Sequence, residues 1–168
     1  MIIQKTGKDD RDFDGIKWAI SVRSKDVRRE SVCCVNMSEG VLAGTDGFRM
    51  HLYTPEREIE NGNYEVITDT AKLIVLEPKD VEYPEYERIF PSDTHGNIES
   101  IFTPSDKQEK DNLILNGILK NSDSCFNTKY LSEACPCNES LHFEQSERAI
   151  IIRNGDYSKG VILMSLEL

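Results

Sequence analysis

The sequence predicts an α+β fold in which short amphipathic helices pack on mostly antiparallel strands. Three observations carry that expectation. A helical stripe lies near the start, strand-length segments punctuated by turn residues follow it, and a second short helix precedes strands that end in the most apolar run of the chain, Val161-Ile162-Leu163-Met164. With 168 residues, 38% hydrophobic and 30% charged, the chain can build one good core or two small ones.

Phe13, Ile16 and Ile20 recur on one helical face, Trp18 and Val22 widen the stripe, and Asp12 stands where a first-turn cap would stand. A helix is therefore predicted over residues 12–23. Residues 31–37 read as a strand, Ser38-Glu39-Gly40 as a turn, and residues 41–44 and 49–53 as a continuing strand with a glycine-containing break, which together make a hairpin. Asn61-Gly62-Asn63 marks the next turn; residues 64–67 read as strand and residues 70–76 as a short helix stopped near Pro78. Residues 92–112 are polar, interrupted by Pro104, and hold only Ile98, Ile101 and Phe102 as apolar content, so they are a linker or insertion candidate that could equally hold one edge strand. Order returns with a strand over residues 113–119, a helix over residues 128–135, and strands separated by residues 145–147 and by Asn154-Gly155-Asp156.

Composition narrows the function classes. A net charge of -10 argues against gripping nucleic acid by bulk attraction, although a local basic face on an acidic body stays open. No apolar run approaches the roughly 18 residues of a membrane span, and the N-terminus MIIQKTGKDD lacks the features of a secretory signal, so a cytoplasmic location is expected. Five cysteines, Cys33, Cys34, Cys125, Cys135 and Cys137, are odd in number and scattered, which favours reduced thiols. His51, His95 and His142 lie far apart, and neither a glycine-rich phosphate loop nor a Ser-His-Asp order is present. Cys135-Pro136-Cys137 with Cys125 and His142 lacks the spacing of a structural zinc site. Asp46 has no second acid fixed near it by spacing and reads as a turn residue bonded to its own backbone. No catalytic residue, metal or cofactor is therefore expected.

Three separated segments together resemble the β subunit of bacterial DNA polymerase III, the sliding clamp. Asp26-Val27-Arg28, leading through the hairpin to Gly44-Thr45-Asp46-Gly47-Phe48-Arg49-Met50, resembles the family's ATDGHRL segment of the middle domain. Tyr83-Pro84-Glu85-Tyr86-Glu87-Arg88-Ile89-Phe90-Pro91 is similar to its FPDYRRVLP at the passage from middle to last domain. Phe126-Asn127-Thr128-Lys129-Tyr130-Leu131 and the closing residues 161–168 resemble its FNVSYVL helix and VVMPMRL end. Taken singly, each has a plainer reading as a turn, a stiff proline-bracketed connection or a core strand.

The resemblance implies a DNA-clamp-like α+β domain over residues 1–168, with two short helices on antiparallel sheets built from two half-domains. Residues 1–91 would form the first half, residues 92–112 the linker, and residues 113–168 the second half, as though an internal deletion had fused the start of the middle domain to the end of the last. It also implies a pocket for the short hydrophobic motifs of polymerases and clamp-loader proteins. Thr45, Gly47, Phe48, Arg49 and Met50 would form one wall, Pro84, Arg88 and Ile89 the floor, and Ile162, Leu163, Met164, Ser165 and Leu166 the other wall. Phe48 stands where the family usually has histidine, Ser165 where it has proline and Glu167 where it has arginine. Lys17, Arg23, Lys25, Arg28, Arg29 and Lys129 would face duplex DNA, or else would simply complement helix C-termini. Six domain-equivalents enclose DNA in the family, so a one-domain chain would need a homo-oligomeric ring; otherwise it would act as a monomeric interaction module.

Overall fold

The computed structural model describes residues 1–85, 101–112, 114, 126–135, 140–145, 149–155 and 158–164. It divides into two compact units, Met1–Glu85 and Tyr86–Leu168.

The first unit is a six-stranded antiparallel sheet with one long helix. Its strands are β1 (Ile2–Gln4), β2 (Val35–Ser38), β3 (Val41–Thr45), β4 (Arg49–Tyr53), β5 (Gly62–Asp69) and β6 (Leu73–Pro78), laid side by side in the order β1-β6-β5-β2-β3-β4. The helices are α1 (Arg11–Ser21) and the four-residue α2 (Glu30–Cys33). Phe13, Ile16, Ala19 and Ile20 of α1 are fully buried against Val35, Met37, Leu42, Tyr53, Tyr64, Ile74 and Leu76 of the sheet. This apolar stripe supplies most of the helix's stability, because an isolated helix of this length is marginal in water.

The helix seats closely because Gly15 and Gly44 lack side chains. A Cβ on Gly15 would lie 2.2 Å from the Tyr53 ring, and one on Gly44 would lie 2.3 Å from the Ala19 carbonyl oxygen. On the same seam the Trp18 indole stacks on the His51 imidazole, with ring centroids 4.2 Å apart and planes 16° from parallel, and His51 Nδ1 is 3.1 Å from the Trp18 carbonyl oxygen.

The cap of α1 is Asp10, not Asp12. Asp10 accepts from the Phe13 N–H at 2.9 Å and from the backbone and hydroxyl of Thr6, and the Thr6 and Phe13 amides hold its carboxyl well below the usual range. Asp12 is buried, where it accepts from the Tyr53 hydroxyl at 3.1 Å, the Glu56 N–H at 2.8 Å and the Arg57 guanidinium. Burial beside Asp12 pushes the Tyr53 phenol pKa upward.

Two other expectations are corrected. Residues 31–37 are not one strand: the Arg29 carbonyl accepts from the Val32 and Cys33 amides, which makes α2, and β2 begins only at Val35. Residues 70–76 are not a helix. The Thr70 hydroxyl accepts from the Leu73 N–H at 3.0 Å in a tight turn, and the chain continues as β6, paired with β1 through Ile2–Val75 and with β5 through Thr68–Val75. The Glu39-Gly40 turn is as expected, with φ of 49° and 82°, the left-handed region that a two-residue hairpin requires.

The second unit has the described strands β7 (Ile101–Phe102), β8 (Leu141–Gln145), β9 (Ala149–Asn154) and β10 (Lys159–Met164) in the antiparallel order β10-β9-β8-β7. Its helices are α3 (Lys107–Asn112) and α4 (Thr128–Ala134). Ile150, Ile151, Ile152, Val161, Ile162 and Leu163 are all buried. The expected linker thus contains structure: β7 is an end strand on β8, and α3 opens on a capping box in which Asp106 accepts from the Glu109 N–H while Glu109 accepts from Ser105. α4 is capped by Asn127, which accepts from the Lys129 N–H at 3.0 Å. Cys135, fully buried at its end, has its thiol pKa pushed up to about 12 by burial. The strand predicted over residues 113–119 lies outside the described residues except for buried Ile114. Among the described residues no helix is long and apolar enough to cross a membrane.

Candidate docking site

The expected pocket residues of the first unit centre on the turn between β3 and β4. Thr45 is buried, and its hydroxyl donates to the Arg49 carbonyl at 2.7 Å and accepts from the Gly47 N–H at 3.0 Å. Asp46 Oδ1 accepts from the Phe48 and Arg49 amides at 2.9 and 3.1 Å, and Asp46 Oδ2 receives Arg49 Nε at 3.3 Å. The carboxylate is thus occupied by its own turn, as the sequence suggested. Gly47 takes φ of 90°, and a Cβ there would lie 2.3 Å from Arg29 Nη2, so the close approach that this glycine permits is to a side chain of the same protein.

Arg29 completes the turn from outside. Its Nη1 donates to the Asp46 carbonyl at 2.9 Å, and its guanidinium lies over the Phe48 ring, 5.9 Å from the centroid. Phe48 itself is 55% exposed, an unusual position for a phenylalanine and one that this web of contacts holds open to solvent.

The remaining pocket residues divide by burial. Met50 is buried at 4%, and Ile162 and Leu163 at 1% and 2%, so these are core residues of their own units. Pro84 is exposed, following Tyr83, whose hydroxyl donates to the Ala43 carbonyl at 3.1 Å. Arg49 and Met164 are half-buried. Arg88, Ile89, Ser165 and Leu166 lie outside the described residues.

The basic residues expected to face DNA are mostly paired. Lys17 donates to Asp69 Oδ1 at 2.9 Å and to the Thr70 carbonyl, and Arg23 lies 3.7 Å from Asp69. Arg28 holds Asp26 by two contacts, 2.9 and 2.8 Å, which lowers the Asp26 carboxyl pKa. Lys129, far out in solvent, is 4.0 Å from Glu133. Lys25 and Arg29 are exposed. Sequence reasoning missed Asp69, Asp26 and the Arg29 clasp. The Asp26-x-Arg28 spacing was legible, whereas the others join residues 17 to 52 positions apart.

Solved structures with the same arrangement of strands and helices are bacterial clamps. The DNA polymerase III β subunit of Thermotoga maritima superposes with a TM-score of 0.61 at 13% identity, covering 100% of this chain and 65% of that one. This chain carries the sliding-clamp fold. The β subunit of Borrelia burgdorferi, solved in complex with a natural product, gives a TM-score of 0.63 at 12% identity over 100% and 64% of the two chains. The Bartonella birtlesii sliding clamp, solved bound to griselimycin, gives 0.58 at 12% over 93% and 64%. The chain therefore spans a little under two thirds of the length of the clamps it matches. Neither a family model nor a curated protein matches the sequence.

Proposed function

We propose that the chain is a non-catalytic, sliding-clamp-like protein of DNA replication that docks short hydrophobic peptide motifs of polymerases and clamp-loader proteins. One observation carries this reading: the turn that resembles the family's docking wall is hydrogen-bonded throughout and holds Phe48 outward at 55% exposure. A ring already fixed in place loses little conformational freedom when a partner covers it, so its apolar area is available as binding energy. Half-buried Met164 would supply an adaptable thioether to the opposite wall, with Pro84 and, by resemblance, Arg88, Ile89, Ser165 and Leu166 completing the site. Encirclement of duplex DNA by a homo-oligomeric ring belongs to this reading, as does a cytoplasmic location.

A second reading, a monomeric clamp-derived module with no DNA role, is favoured by the carboxylates on Lys17, Arg23, Arg28 and Lys129. Each such pair has to open before the cation can hold a phosphate.

The deciding measurement is a fluorescence-anisotropy titration of a labelled peptide carrying leucine and phenylalanine anchors, with light scattering for mass. Saturable binding at roughly micromolar Kd, on the order of -8 kcal/mol, is expected, and Phe48→Ala or Met164→Glu should abolish most of it without loss of circular dichroism. A hexamer-sized mass would favour the ring and a monomer mass the module. Absence of binding up to about millimolar peptide, near -4 kcal/mol, would sink both.

A further inference from the structure

The surface beside Phe48 has an uneven charge balance. Of the acids around it, Asp26 is taken by Arg28 at 2.8 Å, Asp46 by Arg49 at 3.3 Å and by its own turn, and Glu30 by Lys79 at 3.0 Å. Arg29 has a different kind of partner. Its contacts are the neutral carbonyl of Asp46 and the face of the Phe48 ring, and it stays exposed, next to exposed Lys25 and to Val27, which is 85% exposed at the tip of the turn closed by the Arg29 N–H to Asp26 carbonyl bond. A guanidinium held flat against an aromatic ring keeps N–H donors at its edge. These are aimed by contacts already made, and that preorganisation favours planar, charge-assisted recognition. On a chain of net charge -10 such a cationic spot is locally complementary to an acid.

We infer that Arg29 and Phe48 form one composite contact that selects docking peptides carrying an acidic side chain next to their hydrophobic anchor. The ring takes the anchor and the guanidinium edge takes the carboxylate. This inference rests on the docking reading above and adds the class of partner that the site prefers.

The test uses three amidated, labelled peptides with the same leucine and phenylalanine anchors, preceded by Asp-Asp, Ser-Ser or Lys-Lys. It is run at an ionic strength of about 0.15 M, where distant charges are screened beyond roughly 8 Å. The intact protein should bind the Asp-Asp peptide about tenfold more tightly than the Ser-Ser peptide, as one charge-assisted contact would give. Arg29→Lys should keep the preference, Arg29→Gln should make the two peptides bind alike, and Arg29→Glu should favour the Lys-Lys peptide. Phe48→Ala should weaken all three, and a thermal melt of each variant controls for folding. If none of the peptides binds the unmodified protein, the docking reading itself fails. If all three bind it alike, docking stands and the selectivity is overturned. A preference that survives both Arg29→Gln and Arg29→Glu overturns the assignment to Arg29. Loss of duplex oligonucleotide binding in Arg29→Glu, with no peptide preference in the unmodified protein, would make this a phosphate-binding surface and overturn the inference.

Discussion

Phe48 illustrates how far a single residue's role can be read without its neighbours. Thr45-Asp46-Gly47 announces a turn, and the turn is there, with Asp46 bonded to the two amides that follow Gly47. Nothing in the string announces Arg29, because it reaches the turn through space from 17 positions away in sequence. The pairing has an energetic consequence at Gly47, where φ is 90° and the space a Cβ needs is filled by Arg29 Nη2. Gly47→Ala should therefore combine backbone strain with displacement of the guanidinium. Urea unfolding should show a loss of about 1–3 kcal/mol, a range typical of strained backbone positions, and the variant should also bind labelled docking peptide less well.

Among the elements, periodicity located α1 and the β3–β4 hairpin correctly because each expresses its pattern locally. The stripe of Phe13, Ile16 and Ile20 is helical in any context, and Glu39-Gly40 fits a tight hairpin by its own backbone preference. The failures share a cause. Residues 70–76 have helix-compatible composition, but β1 and β5 both offer unpaired strand edges to that segment, and long-range pairing outweighs weak local propensity. β1 itself, only three residues long, was too short to register as a pattern. α3 was legible in principle, since Ser105-Asp106 followed by Glu109 is a capping signature, but the polarity around it reads as linker. The seam between α1 and β4 gives a prediction of its own. Gly15→Ala drives a methyl into the Tyr53 ring, so chemical denaturation should show a loss of about 1–3 kcal/mol, the usual cost of overpacking. If stability is unchanged, the helix rests less closely on the strand than described.

At the scale of the whole molecule, three motifs separated in sequence pointed to a fold that solved clamps share at 12–13% identity, which shows how much of a fold can persist in spacing and turn chemistry alone. The pocket was less legible than the fold. Apolar strands that wall a groove and apolar strands that fill a core look alike as letters, and Met50, Ile162 and Leu163 prove to be buried. Each unit has a sheet of its own, and the first has a closed set of core residues from Ile3 to Leu76. Residues 1–85 expressed alone should consequently fold, giving a cooperative melt and native-like circular dichroism. A broad, non-cooperative melt would mean that the second unit supplies part of that stability.

The stacked pair on α1 and β4 turns the protein into its own reporter. Trp18 is the single tryptophan of the chain and lies against His51 in the first unit, so excitation of the indole addresses residues 1–85 and leaves the second unit dark. Emission followed through a denaturant series would time the opening of that one seam, while circular dichroism reads every strand at once. Where the two curves part, the chain has come undone in stages; where they coincide, it has let go all at once.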